Sequence, residues 1–310
     1  MIAAVLSLGL RAVVVLTCTA LATFTLLWHA PGDPALAIAM SRHQAIVPAD
    51  VIDQIRAEAG LDAGYWAAFS GWIGPLLRGD FGNSSVTGRA VWPDLVTALS
   101  YTAPLALAGL VLGLLISVPL AIVAARYSGG WIDRTAVAIA SLGAAVPVYW
   151  SGLLLVLLFA VKLAWLPAMG ARTSAHLILP ALTLSLGVAA ALTRIIRSGI
   201  LEAREQRFLT AFKRRGVGAR NIGRDHVAPH AAIPVVTVLG LELAFLLEGA
   251  VMVEVIFSRP GLGVFLVQAI HARDYPKVQA VVMLTALFFV AINLIIDIIY
   301  QYIDPRIGGA

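Results

Sequence analysis

One cysteine, Cys18, stands in 310 residues, so neither an internal disulfide nor a cysteine-based metal site can be built. Charge is scarce as well: 13% of residues are Asp, Glu, Lys or Arg, against ~25% in a soluble chain. No glycine is followed by lysine, which excludes the phosphate-cradling G-x-x-x-x-G-K-[ST] loop, and neither HExxH nor GxSxG occurs. His226 and His230 are four apart, but Pro229 between them disrupts the turn that could present both to a metal. We therefore expect no catalytic residue, metal or cofactor in this chain.

Apolar surface is what the sequence has in excess, with 60% hydrophobic residues and a mean hydropathy of +0.90. A bilayer core of ~30 Å is crossed by about 20 apolar residues in a helix. Six stretches qualify, at roughly 8–28, 100–124, 137–161, 177–200, 233–257 and 279–302. Closed barrels would show short alternating segments, and runs such as LLLVLLFAV do not alternate. The first stretch could be a cleavable signal, but its only early positive charge is Arg11 and no small-x-small site is followed by a clear mature start, so it reads as a retained span. Basic residues stay on the cytoplasmic side, and the dense run from Arg194 to Arg224 places both termini inside. This reading gives an all-α integral membrane protein with six transmembrane helices.

The first outer loop, about 29–99, is too long for a bare connector. Ile52, Ile55 and Ala59 share a face between Pro48 and Gly60, which predicts a short amphipathic helix. A second is expected over Tyr65 to Leu77, its tryptophans at the membrane interface. The loop carries more acidic than basic residues, which argues against anionic lipid or nucleic acid as its partner, and Arg78-Gly79-Asp80 reads as a turn. Stretches such as ALTLSLGVAAAL hold small residues that let membrane helices approach closely.

The stretch RFLTAFKRRGVGARNIGRDHVAPH, Arg207 to His230, sets dense positive charge between two apolar spans. Phe208, Leu209 and Phe212 group on one side of a helical turn, with Lys213, Arg214 and Arg215 at its C-terminal end, where the helix dipole favours cations. Gly216 and Gly218 are suitable stops. Two readings remain open from composition alone: a topogenic loop resting on lipid headgroups, or a docking helix offering aromatics to a cytoplasmic partner.

The chain resembles the permease subunits of ABC importers for peptides, nickel and opines, the dipeptide and oligopeptide permease B-type family. The ordered matches are PGDPA (Pro31–Ala35), LLRGDFGNS (Leu76–Ser84), IPVVTVLGLEL (Ile233–Leu243), VIFSRPGLG (Val255–Gly263), RDYPKVQ (Arg273–Gln279) and DPRI (Asp304–Ile307). That family's loop signature is Glu-Ala-Ala, three residues, Gly, nine residues, Ile-x-Leu-Pro. Registered on Gly216, it sets Thr210, Ala211 and Phe212 at the Glu-Ala-Ala positions, and His226, Ala228 and Pro229 at the Ile, Leu and Pro positions; Ala211, Gly216 and Pro229 match strictly.

The resemblance implies a type I ABC importer transmembrane domain in a bacterial inner membrane. Residues 1–92 would hold the first span and outer loop, 93–303 the core with a coupling loop at about 201–232, and 304–310 a tail. Phe208, Leu209, Thr210, Ala211, Phe212, Arg214, Arg215, Gly216 and Pro229 would form the ATPase-coupling element. The implied partners are a homologous second permease, two ABC ATPase subunits that supply the hydrolysis, an extracytoplasmic substrate-binding protein and the bilayer, with no nucleic acid. The cargo would be di- or oligopeptides, or nickel and its chelates, the stretch WLPAMG (Trp165–Gly170) being similar to nickel-type members.

Charged residues inside spans are costly and mark function or packing. Glu254 and Asp297 sit where the family carries acids, which implies bundle packing. Glu242 and Glu248 fall where relatives are neutral, which makes them candidates for a cationic substrate path; hydrogen bonding to a neighbouring helix is the alternative. From a different class, a secondary transporter would move protons on Glu242, Glu248 and Asp297, but would show inverted repeats and interrupted helices. A non-transporting anchor or sensor is the third reading.

Overall fold

Long apolar runs in lipid must satisfy every backbone amide within themselves, and the helix does so. In the computed structural model, which describes residues 2–43, 47–58, 62, 64–206, 209, 212 and 214–303, every such run is helical. The helices are α1 (Ile2–Trp28), α2 (Pro34–His43), α3 (Ala49–Glu58), α4 (Tyr65–Leu76), α5 (Val91–Arg126), α6 (Trp131–Ala145) and α7 (Val148–Leu155, continuing as a π-helix over Val156–Lys162). There follow α8 (Ala175–Glu205), α9 (Ala219–Ile222, continuing as a π-turn over Gly223–Val227), α10 (Ala228–Ile256), α11 (Leu262–His271) and α12 (Tyr275–Ile303). The first short loop helix appears over Ile52 and Ile55 as α3 and the second from Tyr65 as α4, as expected, while Ala59 and Gly60 lie outside the described residues. The tail at 304–310, with its DPRI motif, lies outside the described residues.

Among the described residues, five segments are long and apolar enough to cross a membrane: Gly9–Trp28, Val91–Arg126, Ala175–Glu205, Pro234–Ile256 and Tyr275–Ile299. The span read at 137–161 is not one straight helix. It is α6 followed by α7, bent by 102°, and the pair makes a sixth span if counted together. Pro147 accounts for the bend: it has no N–H to continue the α6 ladder, and it pushes Val146 into extended backbone at φ −81°, ψ 123°.

The chain divides into two compact units, residues 1–101 with 260–291, and residues 102–259 with 292–310. In the first, Ile38 and Ile55 join α2 to α3 in a small apolar cluster, and Arg56 donates to Asp33 at 2.6 Å. Burial works to raise the Asp33 carboxyl, but the Arg56 hydrogen bond and the Ala35 amide outweigh it and hold the group below its ordinary range. Phe24 of α1 meets Tyr65, Phe69 and Trp72 of α4 at ring distances of 5.3 to 5.7 Å. The Asp274 carboxylate accepts from the Ser84 hydroxyl and from the Ser85 amide, tying the end of the long loop to the turn between α11 and α12.

The second unit is built around α8, which packs on α6, α7 and α10. Leu179, Leu184, Val188, Leu192 and Ile196 form its buried stripe, spaced for one side of a helix. Lipid tails are as apolar as these side chains, so close approach, rather than escape from water, holds the bundle together. At Gly199 the α10 backbone comes so near that an added Cβ would lie 3.2 Å from the Ala231 carbonyl oxygen.

Candidate functional site

The segment joining α8 to α10 folds into a small knob with its own core. Leu209 is 2% exposed, packed with Ala203, Ile222 and Val227, while Ile200, Phe212 and Val217 cover the cluster. The helical turn through Phe212 and Arg214 ends at Gly216, whose φ of +75° is the left-handed conformation that glycine enters most cheaply. The Val217 amide reaches back to the Phe212 carbonyl at 3.1 Å, closing the six-residue ring of a Schellman stop. Arg214 and Arg215 are exposed beside it. Phe208, Thr210 and Ala211, also assigned to coupling, lie outside the described residues.

Phe212 does more than fill the cluster. Its ring stacks on His226, centroids 4.1 Å apart and planes inclined by 12°. His226 stands in the π-turn Gly223–Val227, where one extra residue is inserted into the helical path; such turns recur at functional sites. Pro229 sits in the first turn of α10, where a missing N–H leaves no intrahelical bond unmade, so the disruption expected from it is absorbed by the π-turn just before. Arg224 and Asp225 pair on the exposed surface at 2.6 Å, and that hydrogen bond is the main reason Asp225 is held below the usual carboxylate range.

The α8 end of the knob is anchored. Arg197 grips Asp133 at the start of α6 with two nitrogens, at 2.5 and 2.7 Å, and Asp133 also accepts from the Gly129 amide. Seven residues on, and therefore on the same helix face, Arg204 donates to the Ala125 carbonyl near the end of α5 at 2.6 Å. Three helix ends are thereby stapled together beside the knob. Sequence reasoning counted these arginines for topology alone; the paired Asp133, an acid near a span end, was the signal available to find them.

Three carboxylates of α10 have different surroundings. Glu254 is fully buried and accepts from Thr102 at 2.6 Å, the packing role expected for it. Glu242 and Glu248 instead line one cavity of about 620 Å³, bounded by the α6–α7 bend, α8 and α10. Thr183 and Ser151 contribute hydroxyls, and the remaining wall is apolar or glycine.

Comparison with known proteins gives a consistent outcome. A family model described as binding-protein-dependent transport system inner membrane component matches residues 117–309. The glutathione transport system permease protein GsiC of Escherichia coli (strain K12) is 36% identical over 277 residues, 89% of this chain and 89% of that protein. The protein of that name from Salmonella typhi is 37% identical over the same shares. Among solved structures, the inward-facing MetNI methionine ABC transporter aligns with a TM-score of 0.59 and 18% identity over 68% of this chain and 96% of that chain. An amino acid ABC transporter aligns at 0.54 and 17% identity, covering 68% and 94%. At these identities the structural likeness bears on the fold.

Proposed function

Because the chain belongs to the binding-protein-dependent transport system inner membrane components and is the permease of an ABC importer, we propose that the Phe212–Gly216 knob is the element through which separate ATPases drive it. The observation that carries this reading is the knob's construction. Apolar side chains root it, Gly216 stops it, and arginines face outward where a protein partner could pair with them. Phe208, Leu209, Thr210, Ala211, Phe212, Arg214, Arg215, Gly216 and Pro229 are its proposed members.

The assembly comprises this permease, a homologous second one, two ATPases and an extracytoplasmic binding protein in a bacterial inner membrane. Hydrolysis takes place on the ATPases. Small peptides are the proposed cargo, on the likeness to relatives named for glutathione transport. To test the knob, Arg215→Cys in a Cys18→Ser background is crosslinked within the complete transporter. We expect a single major product containing an ATPase subunit, with the yield changing when nucleotide is added. Crosslinks confined to lipid or to the permease itself refute the assignment.

A further inference from the structure

We propose that the cavity between the α6–α7 bend, α8 and α10 is a solute subsite for a protonated amine, with Glu242 and Glu248 supplying its counter-charge. The proposal rests on the permease reading and adds to it the charge of the cargo group. Ionised side chains within a membrane span are rare and are normally paired within the bundle. Glu254, on the same helix, meets that rule through Thr102. Glu242 and Glu248 have no hydrogen-bond or ion-pair partner among the described residues, yet both face one space. At about 620 Å³ it lies within the ~300–1,000 Å³ range of small-molecule sites.

Helix ends of both signs reach the wall: Gly143 and Ala144 bring the C-terminal end of α6, with its partial negative charge, and Pro147 and Val148 bring the N-terminal end of α7, with its partial positive charge, so the net charge is that of the two carboxylates. No Lys, Arg or His lines the space among the described residues. Arg194, whose field reaches Glu242, lies outside the wall. Low-dielectric walls concentrate such a field, enriching counter-ions by at least about tenfold. A protonated amine suits the site because it delivers one positive charge with donors for the carboxylates, while its organic remainder meets the apolar wall.

The test reads the field with defined probes. Met252 lines the cavity and is 57% exposed, so Met252→Cys in a Cys18→Ser background gives a reporter thiol in the complete transporter. It is modified by a trimethylammonium methanethiosulfonate and by a sulfonate one, each rate being divided by that for a small thiol in solution. We expect the cation to be favoured by about tenfold. The preference should fall with Glu248→Gln and vanish when Glu242→Gln is added, while ATPase activity of the complex persists. In parallel, the double variant should raise the KM for a dipeptide with a free N-terminal amine. A normalised ratio near one in the starting protein, or one that survives both substitutions, overturns the proposal while leaving ATP-driven uptake intact. Loss of ATP-dependent uptake from the unsubstituted complex would instead strike the permease reading.

Discussion

His226 holds a position where its chemistry and its flatness can be separated. Its ring lies against Phe212 at 4.1 Å, joining the knob to the first turn of α10, and a nearly parallel ring pair contributes about 1 kcal/mol beyond buried area. If the stack transmits movement, flatness is what matters. His226→Ala should then lower solute moved per ATP hydrolysed by about fivefold, the factor corresponding to ~1 kcal/mol. His226→Phe should restore most of it, with ATPase turnover little changed in either variant. Parallel measurement of hydrolysis and uptake in proteoliposomes checks this; failure of phenylalanine to rescue would mean the imidazole nitrogens matter instead.

Among the elements, α8 has the most interior position, and its end is secured by charge rather than by apolar contact. Asp133 is 5% exposed and Arg197 25%, so removing either strands a poorly hydrated partner. Asp133→Ala should cost about 3 kcal/mol, the low end for breaking a buried pair. Asp133→Ala with Arg197→Ala should cost less than the sum of the two singles, and a thermal-unfolding cycle on the purified complex measures the coupling. Equal additive losses would show that the two residues act apart.

Such pairings were not legible beforehand, because nothing local links Asp133 to Arg197 or Thr102 to Glu254. Helix existence was legible: unbroken apolar runs fixed the spans, and Pro48 with the Ile52–Ile55 spacing marked α3. Pro147 was visible in the sequence, but hydropathy continues across it, and a window average does not register a missing N–H. The Gly216 stop was readable from composition, since a left-handed cap favours one residue type. That Phe212 would lie on His226 depended on the π-turn, which has no sequence signal here.

For the whole molecule, burial is uneven in a way that bears on what one copy can do. In its most apolar window α8 is 56% buried, whereas α10 and α12 are 11% and 6% buried. The helix that carries Glu242 and Glu248, neither with a hydrogen-bond or ion-pair partner among the described residues, is thus among those least enclosed by its own chain. A solute path with a carboxylate wall on one side needs a second wall, or the charges stay open to lipid at a cost of about 3 kcal/mol each. We therefore expect this chain alone, in proteoliposomes, to move no peptide with either ATP or a proton gradient. Coexpression with a second permease and two ATPases should yield ATP-dependent uptake. Accumulation driven by a proton gradient in the single-chain vesicles, abolished by Glu242→Gln or Glu248→Gln, would place these acids in a proton relay and make the chain a secondary transporter.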